Sequence, residues 1–188
     1  MSLLEKIQPK VFEKVWAMPN RETFKIIPIK KLLDEYCKPK MIIVEPFANA
    51  SPYGTITNDL NPEYKTTYNL DALEFLKLMK TESADLVLYD PPYSLTQAAE
   101  CYKSFGKDKL EINVANMKYW KECKREAARI TKRGGRVICF GWNSNGVGRG
   151  RDFTMERIML VAHGGSQNDT IITVERKQGI IARKVLNG

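Results

Sequence analysis

The amino-acid sequence predicts an α/β domain built on a mostly parallel sheet. Short apolar runs alternate along the chain with segments whose apolar residues have helical spacing. Apolar runs bounded by polar residues or proline are typical of parallel strands that are buried on both faces. The chain has 188 residues, of which 43% are apolar, and this length suits one domain with a substantial core. We therefore interpret residues 1–188 as a single domain.

The individual elements are predicted from local patterns. Residues 1–22 suggest a short helical N-terminal arm, and Pro28 suits the first turn of the helix that follows it. Helices are predicted at residues 29–36, 71–79 and 120–131, the last ended by the glycine pair at 134–135. Strands are predicted at residues 41–44, 55–57, 85–89 and 136–140. Two further runs, 156–162 and 170–175, flank a glycine-containing turn and predict an antiparallel hairpin at the edge of the sheet.

The composition and charge of the chain exclude several classes of protein. The chain has 30 Lys and Arg residues and 22 Asp and Glu residues, and the net charge of +8 favours a polyanionic partner. No apolar run approaches the roughly 18 residues of a membrane span, and the N-terminus lacks the apolar core of a signal peptide, so we expect a cytoplasmic protein without a membrane partner. Cys37, Cys101, Cys123 and Cys139 form no C-x-x-C pair and His163 is the one histidine, so no metal site is predicted.

Acidic residues follow three of the predicted strands. Glu45, Asp59 and Asp90 each stand just after an apolar run that is interpreted as a strand. The carboxyl ends of parallel strands lie along one rim of the sheet, and ligands of α/β domains bind at that rim. We therefore expect these three carboxylates to line a ligand site.

The tetrapeptide Asp90-Pro91-Pro92-Tyr93 is the most informative motif. Consecutive prolines cannot continue a central strand, because each lacks an N–H group and has a fixed φ. The chain therefore leaves the sheet extended, with unpaired carbonyl groups between a carboxylate and an aromatic ring. Asp90 and the Pro91 carbonyl can accept the two N–H bonds of a planar exocyclic amine, while Tyr93 stacks on the ring that carries it. The motif predicts a receptor for the amino group of adenine or cytosine, with a chemically inert rigid turn as the alternative.

With this motif, the chain resembles the S-adenosylmethionine-dependent amino-methyltransferases, especially the DNA adenine-N6 methyltransferases, over about residues 24–175. Their signature is D/N-P-P-Y/F after the fourth strand. The resemblance implies a Rossmann-like methyltransferase fold, with a mostly parallel twisted sheet, helices on both faces and a C-terminal antiparallel hairpin. It implies methyl transfer from S-adenosylmethionine to the N6 amine of adenine in DNA, with Asp90, Pro91, Pro92 and Tyr93 as catalytic residues. It also implies an enzyme of the restriction-modification or phage type.

The resemblance further implies a set of cofactor-binding residues. The residues implied to contact S-adenosylmethionine are Phe24, Ile26, Pro28, Glu45, Pro46, Phe47, Ala48, Asp59, Leu60, Asp71 and Ala72. Asp59 is implied to accept the ribose hydroxyls, which suits a carboxylate with two acceptor oxygens. Asp71 is implied to accept the adenine amine, although aspartate at this position is equally suited to be a helix N-cap.

The chain departs from the family in two respects. Asn49-Ala50-Ser51 stands where the family has Gly-Ser-Gly, and asparagine tolerates the left-handed conformation that glycine provides. No insertion is large enough for a separate target-recognition region, so we expect substrate contacts in residues 94–118 and in the loop at 141–150. The candidate nucleic-acid-binding residues are Lys103, Lys107, Lys109, Trp142, Asn143, Arg149 and Arg151. Basic side chains beside an aromatic ring suit phosphate contact and base stacking, with solvated surface as the alternative.

Several alternatives stay open at this point. A related pocket would suit an RNA base, either adenine N6 or guanine N2, and the altered loop at 49–51 would suit a degenerate, non-catalytic nucleic-acid-binding accessory subunit. A nicotinamide oxidoreductase is disfavoured, because no G-x-G-x-x-G follows the first strand. DNA is the favoured nucleic acid, with the target adenine flipped out of a duplex. The sequence leaves open a homodimer or a separate recognition subunit, and it predicts an acidic cofactor side and a basic substrate side of the rim.

Overall fold

The computed structural model describes residues 11–106, 116–148, 152–165 and 167–179, in which seven strands form one sheet. The strands are β1 (Val11–Trp16), β2 (Ile43–Glu45), β3 (Ile56–Thr57), β4 (Ala84–Tyr89), β5 (Thr131–Gly141), β6 (Phe153–Ala162) and β7 (Thr170–Lys177). The helices are α1 (Ile27–Tyr36), α2 (Ala72–Leu78), α3 (Leu95–Ser104) and α4 (Met117–Ile130), with a short 3-10 helix at Thr23–Lys25. None of these described helices is long and apolar enough to cross a membrane.

Six of the seven described strands run in one direction, which confirms the predicted α/β class. The order in the sheet is β1-β6-β7-β5-β4-β2-β3. The four strands β5, β4, β2 and β3 are parallel to one another, and β1 is parallel to β6. β7 is antiparallel to both of its neighbours, β5 and β6. The chain runs outward from β2 to β3 and then returns to β4 on the other side of β2. This reversal between β2 and β4 is a topological switch point, where open α/β sheets bind ligands.

The predicted C-terminal hairpin is present, but it lies elsewhere in the sheet than expected. β6 pairs with β7 in antiparallel register from Phe153 opposite Lys177 to Val161 opposite Thr170. β7 is inserted between β5 and β6, and β1 lies outside β6, so the hairpin is not at the edge. As a result, β6 runs parallel to β5, and its carboxyl end reaches the same rim as those of β2 and β4.

The N-terminal segment forms a strand, so the helical arm predicted for residues 1–22 is wrong for its described part. Side chains from Phe12 to Trp16 alternate between more and less exposed positions, which is the period of a strand. β1 pairs in parallel with β6, where Arg157 lies 2.7 Å from Glu13. The pairing adds a seventh strand to the sheet, beyond the segments predicted from apolar runs.

His163 also joins this edge strand to the hairpin. One ring nitrogen of this buried histidine lies 2.8 Å from the Ala17 carbonyl oxygen, and the other lies 2.9 Å from the Thr170 hydroxyl. Both ring nitrogens are therefore hydrogen-bonded, and the ring links the end of β1 to the turn between β6 and β7. These two contacts support a structural role for this lone histidine.

Helices cover both faces of the sheet, as predicted. α1 buries Ile29 and Leu33 against one face, in a cluster that includes Leu88 of β4. α2 and α4 cover the opposite face, where Phe75 and Tyr89 lie in a second cluster. Alternate side chains of β4 enter opposite clusters, so this strand is buried on both sides. Such burial is the physical reason for the continuous apolar run that predicted it.

Residues 94–118, expected to be a polar substrate-contact region, contain α3 and the start of α4. The Ser94 hydroxyl accepts the Gln97 N–H at 3.2 Å and thereby caps α3. α4 ends with Thr131 as its C-cap, so the expected glycine stop is wrong. The glycines at 134–135 lie within β5, beside a shift in its register with β4. Of the residues that follow the D-P-P-Y motif, 95–104 therefore form a helix, which was not predicted from their composition.

Candidate active site

The three acidic residues that follow strands meet at one rim, as predicted. Glu45 is the last residue of β2, and β2 lies between β3 and β4 in parallel register. Asp59 follows β3 by two residues, and Asp90 follows β4 directly. The three carboxyl groups therefore lie at neighbouring strand ends on both sides of the switch point. This arrangement makes the rim above β2, β3 and β4 the candidate active site.

Asp59 joins the two loops that follow β2 and β3. Its Oδ2 accepts the Asn49 N–H at 2.9 Å, and its Oδ1 accepts the Asn61 N–H at 2.9 Å. Asn49 has a φ of +48°, which is the left-handed conformation that asparagine tolerates. Burial raises the pKa of Asp59, while the two backbone N–H groups oppose that rise. Each carboxylate oxygen keeps a second lone pair, so the group retains capacity for a ligand hydroxyl.

Glu45 is buried with one oxygen paired and the other unpaired. It is 1% exposed, and the Ser51 hydroxyl donates to its Oε1 at 2.9 Å. Its Oε2 has no hydrogen-bond partner among the described residues. Burial raises the pKa of Glu45 to about 7, and the charge of Asp90 adds to the rise. A Cβ at Gly54 would lie 2.6 Å from Thr57 Cγ2 and 3.0 Å from Glu45 Cδ, so glycine lets the backbone approach both side chains closely. An unpaired buried acceptor is costly, and a ligand donor at Oε2 would be stabilising.

Asn58 is a structural centre of the site that the sequence analysis missed. This fully buried amide donates to the Pro46 carbonyl at 3.1 Å and to the Leu70 carbonyl at 3.0 Å, and its Oδ1 accepts the Leu70 N–H. Its backbone carbonyl accepts the Ala48 N–H at 2.9 Å. Asn58 also forms an isolated parallel bridge with Tyr68. One side chain therefore fixes the loops that carry the predicted cofactor-binding residues. In the sequence, the signal for this role was an asparagine directly after a predicted strand.

Asp71 is the N-cap of α2, as one of its two interpretations expected. Its Oδ1 accepts the Leu73 N–H at 2.9 Å and the Glu74 N–H at 3.2 Å. The Tyr119 hydroxyl donates to its Oδ2 at 2.7 Å. Ala72, the first residue of the helix, is buried. The capping role is therefore confirmed, and contact with an adenine amine stays a prediction.

Asp90 and Tyr93 are hydrogen-bonded to each other. The Tyr93 hydroxyl donates to Asp90 Oδ1, and the Thr23 side chain hydrogen-bonds the same carboxyl group. Burial raises the pKa of Asp90 to about 6, and these two hydrogen bonds oppose the rise. The Tyr93 N–H donates to Gln97 Oε1 at 2.7 Å, which fixes the chain just beyond the prolines. The ring of Tyr93 was predicted as a stacking surface, whereas the contact between its hydroxyl and Asp90 was not predicted.

A cavity of about 460 Å³ opens beside the motif, on the α4 side of the sheet. Its walls include both prolines of the motif and the rings of Tyr93, Trp120 and Trp142. The Tyr93 and Trp142 rings are 5.9 Å apart at an interplanar angle of 68°. Tyr93 lines the cavity with its ring and contacts Asp90 with its hydroxyl, so this residue connects the cavity to the Asp90 carboxyl group. The proline and aromatic side chains that line the cavity suit a planar ligand.

The segment before β2 contributes residues from the α1 side of the site. The Phe24 ring lies 4.9 Å from that of Phe140, and Ile26 is buried in the same cluster. Pro28 occupies the first turn of α1, as predicted. Phe24 therefore reaches the end of β5 as well as the loop after β2.

The loops after β2 and β3 contribute apolar cover from the opposite side. The Phe47 ring lies 5.5 Å from that of Tyr89 and 6.2 Å from that of Trp120. Leu60 packs against the cluster formed by Ala98 and Tyr102, both buried side chains of α3. These residues enclose the region between Asp59 and the D-P-P-Y motif.

The predicted nucleic-acid contacts are described in part. Lys103 is exposed in the last turn of α3, and Asn143 is exposed in the loop after β5, where its Oδ1 accepts the Asn145 N–H at 3.1 Å. Trp142 is 39% exposed although its ring contacts Tyr93. Lys107, Lys109, Arg149 and Arg151 lie outside the described residues. Trp142 and Asn143 are therefore the predicted contacts that the structure brings to the cavity.

Comparison with known proteins identifies the fold. No protein-family model matches the chain, and no curated protein matches it in sequence. Among solved structures, TrmN from Thermus thermophilus superposes with a TM-score of 0.53 and 16% identity over 81% of this chain and 49% of its own. The N-methyltransferase NodS from Bradyrhizobium japonicum gives 0.52 and 9% over 86% of this chain and all of its own.

A third solved structure is the 1,6-didemethyltoxoflavin-N1-methyltransferase of Burkholderia thailandensis, which contains S-adenosylhomocysteine. It matches with a TM-score of 0.51 and 10% identity, over 81% of this chain and 77% of its own. The chain spans about half the length of the TrmN chain. At these identities the likeness establishes the architecture, a Rossmann-like fold shared with methyltransferases, as the sequence predicted.

Proposed function

We propose that this chain is an S-adenosylmethionine-dependent methyltransferase that acts on the exocyclic N6 amine of adenine in DNA. The observation that carries the proposal is the Asp90 carboxyl group at the end of β4, followed at once by two prolines and an aromatic-walled cavity of about 460 Å³. The methyltransferase architecture of the sheet supports the reaction class.

The chemistry follows from what the motif offers to an aromatic amine. The nitrogen lone pair of adenine N6 is delocalised into the ring, so the free amine is a weak nucleophile. Asp90 and the Pro91 carbonyl can each accept one N–H, which favours a tetrahedral nitrogen with an available lone pair. The pKa of Asp90, about 6, leaves the carboxyl ionised at neutral pH, as an acceptor must be. After transfer, the extra amine proton can pass to Asp90 or to water.

The residues at the rim fit the cofactor. Bound S-adenosylmethionine supplies an electrophilic methyl group on its sulfonium centre. Glu45 Oε2 is a buried acceptor without a partner, which suits the charged amino group of a methionine portion. Asp59 keeps lone pairs that suit a ribose diol, and its position is fixed by two backbone N–H groups. These residues bind and orient, which is the main demand of an in-line transfer between two held groups.

A nucleic-acid substrate is supported by charge and by exposed aromatic surface. The chain carries a net charge of +8, which favours binding to a polyanion. Trp142 and Asn143 lie at the mouth of the cavity, and indole rings stack on any base. A base within a duplex has to flip out to reach the cavity, at a cost of a few kcal/mol. Contacts to the flanking phosphates offset part of that cost.

The experiment is transfer of labelled methyl groups to duplex DNA, single-stranded DNA and RNA in parallel, followed by nucleoside analysis. We expect N6-methyladenine in DNA. Asp90→Ala should lower the rate at least about 100-fold, the scale of losing one group that stabilises the transition state. Cofactor affinity, measured by calorimetry, should change little, because Asp90 contacts the target amine.

The matched control is Asp85→Asn, which changes an aspartate at the opposite end of the same strand. This variant should transfer methyl groups at close to the wild-type rate. Transfer by Asp90→Ala at the wild-type rate would contradict the catalytic assignment. Methylated nucleosides found in RNA alone would reassign the substrate, and absence of cofactor binding by the wild type would favour a non-catalytic accessory subunit.

A further inference from the structure

The loop between β5 and β6 is held at a single peptide bond by two oppositely charged side chains. Lys124 of α4 donates from Nζ to the Gly146 carbonyl at 2.6 Å. The Val147 N–H, which belongs to the same peptide unit, donates to Glu175 of β7. A cation at the carbonyl and an anion at the N–H each match the polarity of the group that they contact. We call Lys124 and Glu175 the peptide clamp.

The clamp has a steric requirement at Gly146. This residue has a φ of +55°, and a Cβ there would overlap the Glu175 carboxylate and lie 3.0 Å from Thr173 Oγ1. Glu175 is 5% exposed, so the side chain has little freedom to move aside. A buried charge of this kind is retained only where it is well paired. The close approach of the loop backbone to β7 is therefore a built feature of the fold.

The clamp fixes the far end of the segment that carries Trp142. The near end is fixed because Gly141 is still paired with Ile171 of β7. Between these two points, Asn143 Oδ1 accepts the Asn145 N–H at 3.1 Å and closes a local turn. The exposed indole of Trp142 is thereby placed over the cavity and against Tyr93.

We infer that Lys124 and Glu175 are positioning residues that hold Trp142 as a preorganised stacking surface for the target base. The inference rests on the proposed function for its substrate, because the base is the group that stacks. A surface held in its bound geometry loses less entropy when it binds.

Lys124 also lines the cavity, so direct contact with a phosphate is the competing role. The two roles predict different behaviour. A phosphate contact would act independently of Trp142 and would change the salt dependence of binding. A clamp acts through Trp142 and has no effect once the indole is removed.

The first test needs no activity. The protein is labelled with 5-fluorotryptophan, and the ¹⁹F signal of Trp142 is assigned with Trp142→Phe. We expect Lys124→Met to shift and sharpen the Trp142 signal towards that of an exposed, mobile indole. Lys124→Arg keeps a donor at Gly146 and should leave the signal near its wild-type position. The matched control is Lys121→Met, which removes an exposed charge from the preceding turn of the same helix.

The second test is a double-mutant cycle in affinity for a fluorescent single-stranded dA12 oligonucleotide. We expect Lys124→Met to weaken binding about 5- to 10-fold in the wild-type background, within the range for loss of one base stack. In the Trp142→Ala background, the same substitution should change affinity less than about 2-fold. Glu175→Gln is the second variant, for use if Lys124→Met does not fold. It keeps an acceptor oxygen at Val147, so its affinity for dA12 should lie between that of the wild type and that expected for Lys124→Met.

An unchanged Trp142 signal in Lys124→Met would overturn the inference, as would equal losses of affinity in both backgrounds. Absence of dA12 binding by the wild type would overturn the stacking role of Trp142. Each of these results is separate from the proposed chemistry, which is tested by methyl transfer and by Asp90→Ala. A Trp142 signal that becomes mobile in Lys124→Met, in a protein without transfer activity, would retain the clamp and remove the proposed function.

Discussion

Glu45 and Asp90 are carboxylic acids that the fold holds away from water at adjacent strand ends. Burial raises their pKa values to about 7 and about 6, and the charge of Asp90 contributes to the higher value of Glu45. Like charges in one site disfavour joint ionisation. Asp90 is the stronger acid of the two and is ionised at neutral pH, as the proposed acceptor role requires. The arrangement therefore disfavours ionisation of Glu45 more than ionisation of Asp90.

Glu45→Gln should change how stability depends on pH. Because the folded pKa of about 7 lies above the ordinary value of 4.5, the folded state binds the proton more tightly than the unfolded state. The stability from this group is complete below pH 4.5 and is lost as pH rises through about 7. Between about pH 5 and about pH 7.5, the wild type should lose about 2 kcal/mol of unfolding free energy relative to the variant.

Urea denaturation at the two pH values measures this difference. The control is Glu74→Gln, which removes the same charge from an exposed position on α2. A gap between wild type and Glu45→Gln that stays constant with pH would mean that Glu45 titrates as it does in the unfolded chain.

At the scale of single residues, the sequence predicted which side chains reach the rim but not how they pair. Asp59 and Asn49 were predicted in position and conformation, because strand ends and backbone tolerance are local properties. The bond between Tyr93 and Asp90 was not predicted, since it depends on how the turn after the prolines folds back. The role of Asn58 was not predicted for a similar reason, because its hydrogen-bond partners lie in loops that come together only in the folded sheet.

Among the elements, α3 connects the motif to the rest of the site through its first turn. Ser94→Ala removes the hydroxyl that accepts the Gln97 N–H. We expect a loss of about 1 kcal/mol in the free energy of unfolding, the usual effect of removing an N-cap. Urea denaturation at constant pH measures it. Ser104→Ala is the matched control, because its hydroxyl contacts the Cys101 carbonyl at the other end of the same helix. Equal losses in the two variants would contradict a capping role for Ser94.

Elements with a strong local pattern were predicted and those with distant partners were not. β4 was found from an apolar run that is buried on both faces. α3 had a local signal, serine followed by glutamine three residues later, but its polar surface and exposed lysine obscured the helical face. β1 has an alternating pattern of only six residues, and the partner that stabilises it is β6, whose paired residues lie 146 positions further along the chain. No local rule identifies a pairing of that range.

In the whole molecule, the parallel sheet determines where charge can act. Parallel strands bring Glu45, Asp59 and Asp90 to one rim, which makes the proposed cofactor side acidic. Met117, at the start of α4, lines the cavity, and Lys103 is exposed in the last turn of α3. The basic side of the expected divided rim is predicted around residues 103–109 and 149–151, of which 103–106 lie among the described residues.

Replacement of Lys103, Lys107 and Lys109 together by glutamine should weaken nucleic-acid binding and reduce its dependence on salt. Each lost phosphate contact lowers the slope of log affinity against log salt by about 0.7 on single strands and about 0.9 on duplex DNA, so three contacts account for a change of about 2 to 3. Titrations at several salt concentrations measure the slope.

The matched control replaces Lys38, Lys40 and Lys80, which are exposed near the amino ends of β2 and β4, at the opposite edge of the sheet. Both triple variants change the net charge by the same amount, so only position distinguishes them. The control should keep the wild-type slope, because phosphates bound at the carboxyl rim lie beyond a Debye length of about 8 Å from the opposite edge. Equal loss of slope in the two variants would show that the excess charge acts through the whole surface, and the division of the rim would then have no part in binding.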